Sequence, residues 1–156
     1  MSEHPPQIFE PITTEALVAR ARLMRQEGYR LVQIGATRLP EHLELTYSFD
    51  RDGQLHNLRL HVPAAEPQVP SLSEVYWCAF LYENEMHDLF GLRVVGMALD
   101  FHGTFYRTAV KFPFGRTKLP VAKPAPANPG ANAPAQAPRN GEHGPQVTNQ
   151  PSTLAS

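Results

Sequence analysis

Pro70-Ser71-Leu72-Ser73-Glu74-Val75-Tyr76-Trp77-Cys78-Ala79-Phe80-Leu81-Tyr82-Glu83-Asn84-Glu85-Met86-His87-Asp88-Leu89-Phe90-Gly91-Leu92 is the stretch of this 156-residue chain that decides its fold. Its pattern predicts a helix from Leu72 to about Phe90. Ser71 and Glu74 have capping-box spacing, with the serine hydroxyl accepting from the Glu74 amide and the glutamate reaching back to the Ser71 amide. Gly91 stands where a left-handed cap would close the helix. From Val75 to Tyr82 the segment is apolar almost all round. A helix of that kind is buried on more than one side, whereas a small sheet covers only one. Trp77 and Tyr76 are therefore expected in a core or against a partner.

The character then changes at Glu83-Asn84-Glu85-Met86-His87-Asp88. Glu85 and Asp88 are three apart, and like charges at that spacing cost a few tenths of a kcal/mol. Carboxylates in the last turns also oppose the helix dipole, at roughly 0.3–1 kcal/mol each. Such residues need cations, and Arg93, Arg107 or a basic residue of a neighbouring chain are the expected partners. Glu83 and His87, four apart, are able to share one metal ion, with Asp88 as a third ligand. No further His, Cys or Asp is spaced to complete a tetrahedral site. Three acids within one and a half turns also do not flank a cleft as a paired-carboxylate hydrolase requires. The expectation is a chain without catalytic, cofactor-binding or metal-ligating residues of its own.

Towards the N-terminus, Thr13 to Glu27 predicts an amphipathic helix. Thr13 or Thr14 is its cap, Leu17, Ala21 and Met24 its buried stripe, and Gly28 its stop. Tyr29 to Leu39 reads as a strand ending before Pro40. Leu43, Leu45, Tyr47 and Phe49 alternate with Glu44, Thr46 and Ser48, and Leu58, Leu60 and Val62 alternate with Asn57, Arg59 and His61. Asp50-Arg51-Asp52-Gly53 between them is turn chemistry, so the pair predicts a hairpin with one buried face. His42, His56 and His61 fall at strand ends or on the polar face, where surface residues are expected. Residues 63–70 form a proline-rich connection. Helix, strands and helix together predict an α+β fold, a small antiparallel sheet with helices packed on it.

Composition divides the chain into an N-terminal arm (1–10), this domain (11–119) and a Pro/Ala-rich tail (120–156). The tail holds eight prolines and no aromatic residue, too little apolar surface to offset an ordering entropy of roughly 1–2 kcal/mol per residue. It is expected to be disordered or extended on a partner. Formal net charge is −1, without the basic surplus of a general nucleic-acid binder. The one cysteine, Cys78, supplies neither an internal disulfide nor the thiolates of an iron–sulfur cluster. No apolar run approaches the roughly 20 residues of a membrane-crossing helix. The first residues lack the basic and apolar pattern of an export signal.

Pro70-Ser71, an aromatic helix, then Glu83, Glu85, Asp88, Leu89, Phe90 and Gly91 resemble the signature of the 30 kDa subunit family of respiratory complex I, over about residues 13–112. Asn84 stands where that family has arginine. After Gly91 the respiratory Gly-His-Pro-x-Leu-Arg-Arg element is replaced by residues 95–106, which look more like the short homologous subunit of energy-converting group 4 [NiFe] hydrogenases of the Ech or carbon-monoxide-linked type. The resemblance implies an accessory subunit without a redox centre of its own. It would pack beside a large subunit holding the NiFe centre and a small subunit holding iron–sulfur clusters. Attachment to ion-translocating membrane subunits would be indirect, on the cytoplasmic face of the inner membrane. The equivalent subunit of a quinone- or ferredoxin-linked complex I relative is the alternative, and a stand-alone metal-dependent enzyme using Glu83, His87 and Asp88 the third reading. On the first reading Tyr76, Trp77, Glu83, Glu85, His87, Asp88, Phe90 and Gly91 are partner-contact or structural residues.

Overall fold

The structure is a computed structural model, and it describes residues 7–115. The proposed tail (120–156) and the first six residues of the arm lie outside that range. The elements are β1 (Ile8–Pro11), α1 (Leu17–Gln26), β2 (Arg30–Arg38), β3 (His42–Arg51), β4 (Gln54–Pro63), β5 (Gln68–Pro70), α2 (Ala79–Phe90) and β6 (Arg93–Val95). β1 to β4 form one sheet in the order β1-β4-β3-β2, and β5 pairs with β6 in a second.

The hairpin expected from the alternation is present: β3 and β4 pair antiparallel from His42↔Pro63 to Arg51↔Gln54. Asp52 and Gly53 both take positive φ (55° and 82°), as the two-residue turn between them demands. Leu43, Leu45, Tyr47, Phe49, Leu58, Leu60 and Val62 are buried, and with Leu17, Ala21 and Met24 of α1 they form the core. β2 completes the antiparallel part. Its register slips between Leu31 and Gln33, leaving Val32 as an extra residue. The Tyr82 hydroxyl of α2 donates to the Val32 carbonyl at 2.7 Å, so the interruption of the ladder is where the helix attaches.

Several expectations need correction. The end of the arm, residues 8–10, forms a strand with Pro11, and β1 runs parallel to β4, Ile8↔His56 to Pro11↔Arg59, so the sheet is mixed. β5 and β6 are also parallel, because α2 crosses between them. α1 begins at Leu17, since Thr13 and Thr14 close turns through their carbonyls to Ala16 and Leu17 and give no side-chain cap. α2 begins at Ala79. Residues 72–78 instead form turns closed by Val75 N–H and Tyr76 N–H to the Leu72 carbonyl and by Ala79 N–H to that of Tyr76. The capping box is absent: the Ser71 hydroxyl accepts from the Ser73 amide at 3.0 Å instead of that of Glu74, and donates to Glu83 of a later turn. The Gly28 stop and the Gly91 cap stand as expected, with φ of 86° and 75°.

Candidate functional site

α2 turns three neighbouring polar side chains inward. Glu83, Asn84 and Asp88 are 3%, 1% and 5% exposed, and each fastens chain from outside the helix. One Glu83 oxygen accepts from the Ser71 hydroxyl and the other from the Leu72 amide, both at 2.6 Å. Ser71 Oγ lies 2.7 Å from Ser73 Oγ, which accepts from the Ala98 amide at 2.8 Å. A continuous chain of hydrogen bonds thus runs from the helix through the entry turn to the segment beyond β6. Burial pushes the Glu83 carboxyl above its ordinary range, and the Ser71 and Leu72 donors oppose that shift without cancelling it.

Asn84 does the same work one residue on. Its Nδ2 donates to the carbonyls of Phe80 (2.7 Å) and Leu99 (2.9 Å), and its Oδ1 accepts from the Phe101 amide at 2.9 Å. Asp88 accepts from the Tyr106 amide at 2.7 Å through one oxygen and lies 3.0 Å from His87 Nδ1 through the other. Ala98, Leu99, Phe101 and Tyr106 all belong to the irregular segment after β6, so these inward side chains substitute for the ladder bonds that segment lacks. At the helix end, the Leu89 carbonyl accepts from the Phe114 and Gly115 amides, and Phe90 packs on Phe114 with ring centroids 5.7 Å apart. A Cβ on Gly91 would sit 2.9 Å from the Phe112 ring. Glycine there meets both the left-handed φ and this close approach.

This geometry corrects the part of the expectation that has Arg93 or Arg107 of the same chain partner the acidic helix end. Among the described residues, neither Arg93 nor Arg107 pairs with Glu83, Glu85 or Asp88. Glu83 and Asp88 point inward to amides and hydroxyls, and half-buried Glu85 lies 3.3 Å from the Tyr106 hydroxyl. Nor do Glu83, His87 and Asp88 converge as ligands. Glu83 is turned toward Ser71, His87 is bonded to Asp88, and no three such side chains gather at one point among the described residues.

Tyr76 is a core residue, its ring tilted against that of Phe49 with centroids 5.4 Å apart, and it donates to the Tyr29 carbonyl at 3.0 Å. Trp77 is not: it is 61% exposed, against Phe80. Leu81, Leu99, Phe101 and Tyr106 are exposed as well, so the apolar character of the segment is only half used within the chain. Sequence reasoning missed Asn84 as a clamp and missed the cluster of Glu10, Arg20 and His56. There Arg20 bonds Glu10 through Nε at 2.9 Å, and buried His56 approaches the same carboxylate at 2.7 Å. The placement of His56 on a polar surface is corrected, because β1 covers that part of β4. The signal for the clamp was present in residues 96–115, a periodless run whose many amides need acceptors.

Residues 11–105 match the family model described as "Respiratory-chain NADH dehydrogenase, 30 Kd subunit". Among solved structures, a chain of the membrane-bound sulfane sulfur reductase, described as an archaeal respiratory membrane complex, is similar with TM-score 0.58 and 19% identity. That match covers 65% of this chain and 64% of the other, so it spans just under two thirds of that relative. The trypsin-resistant fragment (1–134) of Nqo5 is similar with TM-score 0.54 and 20% identity, over 64% of this chain and 86% of the fragment. At these identities the likeness is one of fold. No curated protein matches the chain.

Proposed function

The chain belongs to the respiratory-chain NADH dehydrogenase 30 kDa subunit family, and from that premise we propose that it is a non-catalytic subunit in the peripheral arm of a complex I-like membrane complex. The family match over residues 11–105 carries this reading. The geometry agrees with it: the polar residues of α2 are consumed in holding the chain's own loops, while Trp77 and Leu81 remain 61% and 44% exposed. Exposed tryptophan and leucine beside exposed Phe101 and Tyr106 suit a surface that docks.

Within that family we assign the chain to the hydrogenase branch, beside a large subunit with a NiFe centre and a small subunit with iron–sulfur clusters. The support is the segment after Gly91, where residues 95–106 replace the respiratory element and Asn84 replaces arginine. The two changes are physically linked, because Asn84 binds Leu99 and Phe101 of that segment. The second reading is the equivalent subunit of a quinone- or ferredoxin-linked complex I relative. It is favoured by the sulfane sulfur reductase complex, which contains a chain of this fold.

Affinity purification of the tagged chain from membranes of its source cells tests both levels. Recovery with a nickel-containing large subunit and hydrogen evolution supports the hydrogenase assignment. A large subunit without nickel moves the chain to the second reading, and recovery of the chain alone overturns its role as a subunit.

A further inference from the structure

The segment held by Asn84 and Asp88 encloses an open depression of about 460 Å³, lined by Gly103, Thr104, Tyr106, Arg107, Thr108 and Lys111. Its two cations lack acids. Among the described residues, Arg107 and Lys111, like several other arginines, make no ion pair, and no acid lines their depression, whereas a depression lined by Arg22 and Arg25 includes Glu74. The nearby acids are committed elsewhere. Asp88 is engaged by Tyr106 N–H and His87, Asp100 accepts from His102 N–H, and Glu85 lies against the Tyr106 hydroxyl. Lys111 stands with Nζ 5.0 Å from the centroid of the Phe112 ring, which gives the ammonium a fixed neighbour. What the depression offers is a guanidinium fork, an ammonium and the Thr108 hydroxyl, the donor set of an anion seat.

The exposed apolar residues of the same segment, Tyr106 of them lining the depression, identify the source of the anion. Leu99, Phe101 and Tyr106 are 39%, 36% and 44% exposed and sit on the same segment as the two cations. A small free anion needs no exposed apolar neighbours, whereas an aromatic side chain next to arginine, as Tyr106 is next to Arg107, is the composition of protein interface hot spots. We propose that this depression seats a carboxylate-bearing segment of a neighbouring protein subunit, paired to Arg107 and Lys111. The inference rests on the reading of the chain as a subunit, and it names a specific contact in that assembly.

Carbodiimide cross-linking of the native assembly, read by peptide mass spectrometry, tests it. The coupling joins Lys111 directly to a contacting carboxylate, so a link from Lys111 to an Asp or Glu of another subunit is expected. Lys111→Arg should lose the link and keep the assembly. Arg107→Glu combined with Lys111→Glu should weaken retention of the chain by about tenfold or more, with greater loss at low salt than at high. Both positions are exposed, and an unchanged urea midpoint of the double variant separates lost docking from lost folding. An intact assembly with Lys111 unlinked, or with the double variant retained as wild type, overturns the proposal. So does cation-dependent binding of the chain to phosphatidylserine vesicles without an intersubunit link, which would make the anion a lipid headgroup. A wild-type chain that joins no subunit at all refutes the broader reading instead, and the two failures are thereby distinguished.

Discussion

Asn84→Ala should loosen the segment after β6 more than it disturbs the core. The side chain is 1% exposed and makes two bonds to that segment, donating to the Leu99 carbonyl and accepting from the Phe101 amide, each at 2.9 Å. A typical intramolecular hydrogen bond is worth about 1 kcal/mol net, and a buried group left without its partner costs about 1–3 kcal/mol. If the segment stays docked, the loss is therefore roughly 2–3 kcal/mol, about a 10 °C drop in Tm for a domain of this size. If it lifts away, water satisfies both groups and the global loss is smaller. The amides of residues 98–106 then exchange faster and the segment becomes open to proteolysis. Urea denaturation together with hydrogen exchange covers both outcomes. Asn84→Asp adds a sharper test. It keeps the acceptor for Phe101 N–H but sets a carboxylate against the Phe80 and Leu99 carbonyls. It should therefore be worse than alanine at pH 8 and recover as acid protonates the new carboxyl. An Asn84→Ala variant with unchanged urea midpoint and exchange, or an Asn84→Asp variant insensitive to pH, would refute the clamp.

Burial raises the Glu83 carboxyl above its ordinary value of 4.5, so the folded state binds its proton more tightly than the unfolded chain. Its contribution is full below the unfolded pKa and declines as pH rises through the folded one. Glu83→Gln should flatten that decline in a pH series of urea midpoints, whereas Glu83→Ala, which strands the Leu72 amide, should lose about 2 kcal/mol in acid and less as pH rises through the folded pKa. Glu10 has the opposite sign: the Arg20 hydrogen bonds, aided by His56, hold its carboxyl below the ordinary range against a smaller cost of burial. Its stabilisation is present above the unfolded pKa and lost as pH falls through the folded one. Because the pair is partly exposed, Glu10→Gln should cost no more than about 1 kcal/mol near pH 7, and the difference should close in acid. Gly91→Ala imposes a left-handed φ on a residue with a Cβ and drives that atom into Phe112. A loss of at least about 1 kcal/mol is expected by thermal unfolding, and a wild-type Tm would count against the cap.

The hairpin and the buried stripe of α1 were legible because both follow a period. Leu43 to Phe49 and Leu58 to Val62 alternate, and Leu17, Ala21 and Met24 recur at helical spacing, so burying them is a property of the pattern. The start of α2 was not legible. Ser71-Leu72-Ser73-Glu74 satisfies the capping-box rule, yet the Ser71 hydroxyl accepts from the Ser73 amide while donating to Glu83, twelve residues away, a partner no local rule contains. β1 escaped notice for a similar reason. Four residues carry no period, and their place beside β4 follows from long-range pairing with residues 56–59 and from Glu10 reaching Arg20 and His56.

The acidic end of α2 was correctly seen as costly for an isolated helix, but the inference that cations relieve it assumed carboxylates facing outward. Glu83 and Asp88 face inward, and their oxygens are met by two amides, a hydroxyl and an imidazole. Each carboxyl offers two oxygens that accept from separate pieces of chain, and at Glu83 those donors offset part of the cost of burial, which explains acids at positions the helix dipole disfavours. The same arrangement explains Asn84. Between the Leu99 carbonyl and the Phe101 amide the slot requires a donor and an acceptor together. A guanidinium has only donors and would carry an unpaired charge into a position that is 1% exposed. Asparagine at residue 84 and the segment that follows β6 are therefore one structural choice. Arg107, Lys111 and the exposed aromatics are carried by that segment, so changing residue 84 should alter the surface the chain presents without any contact between residue 84 and a partner.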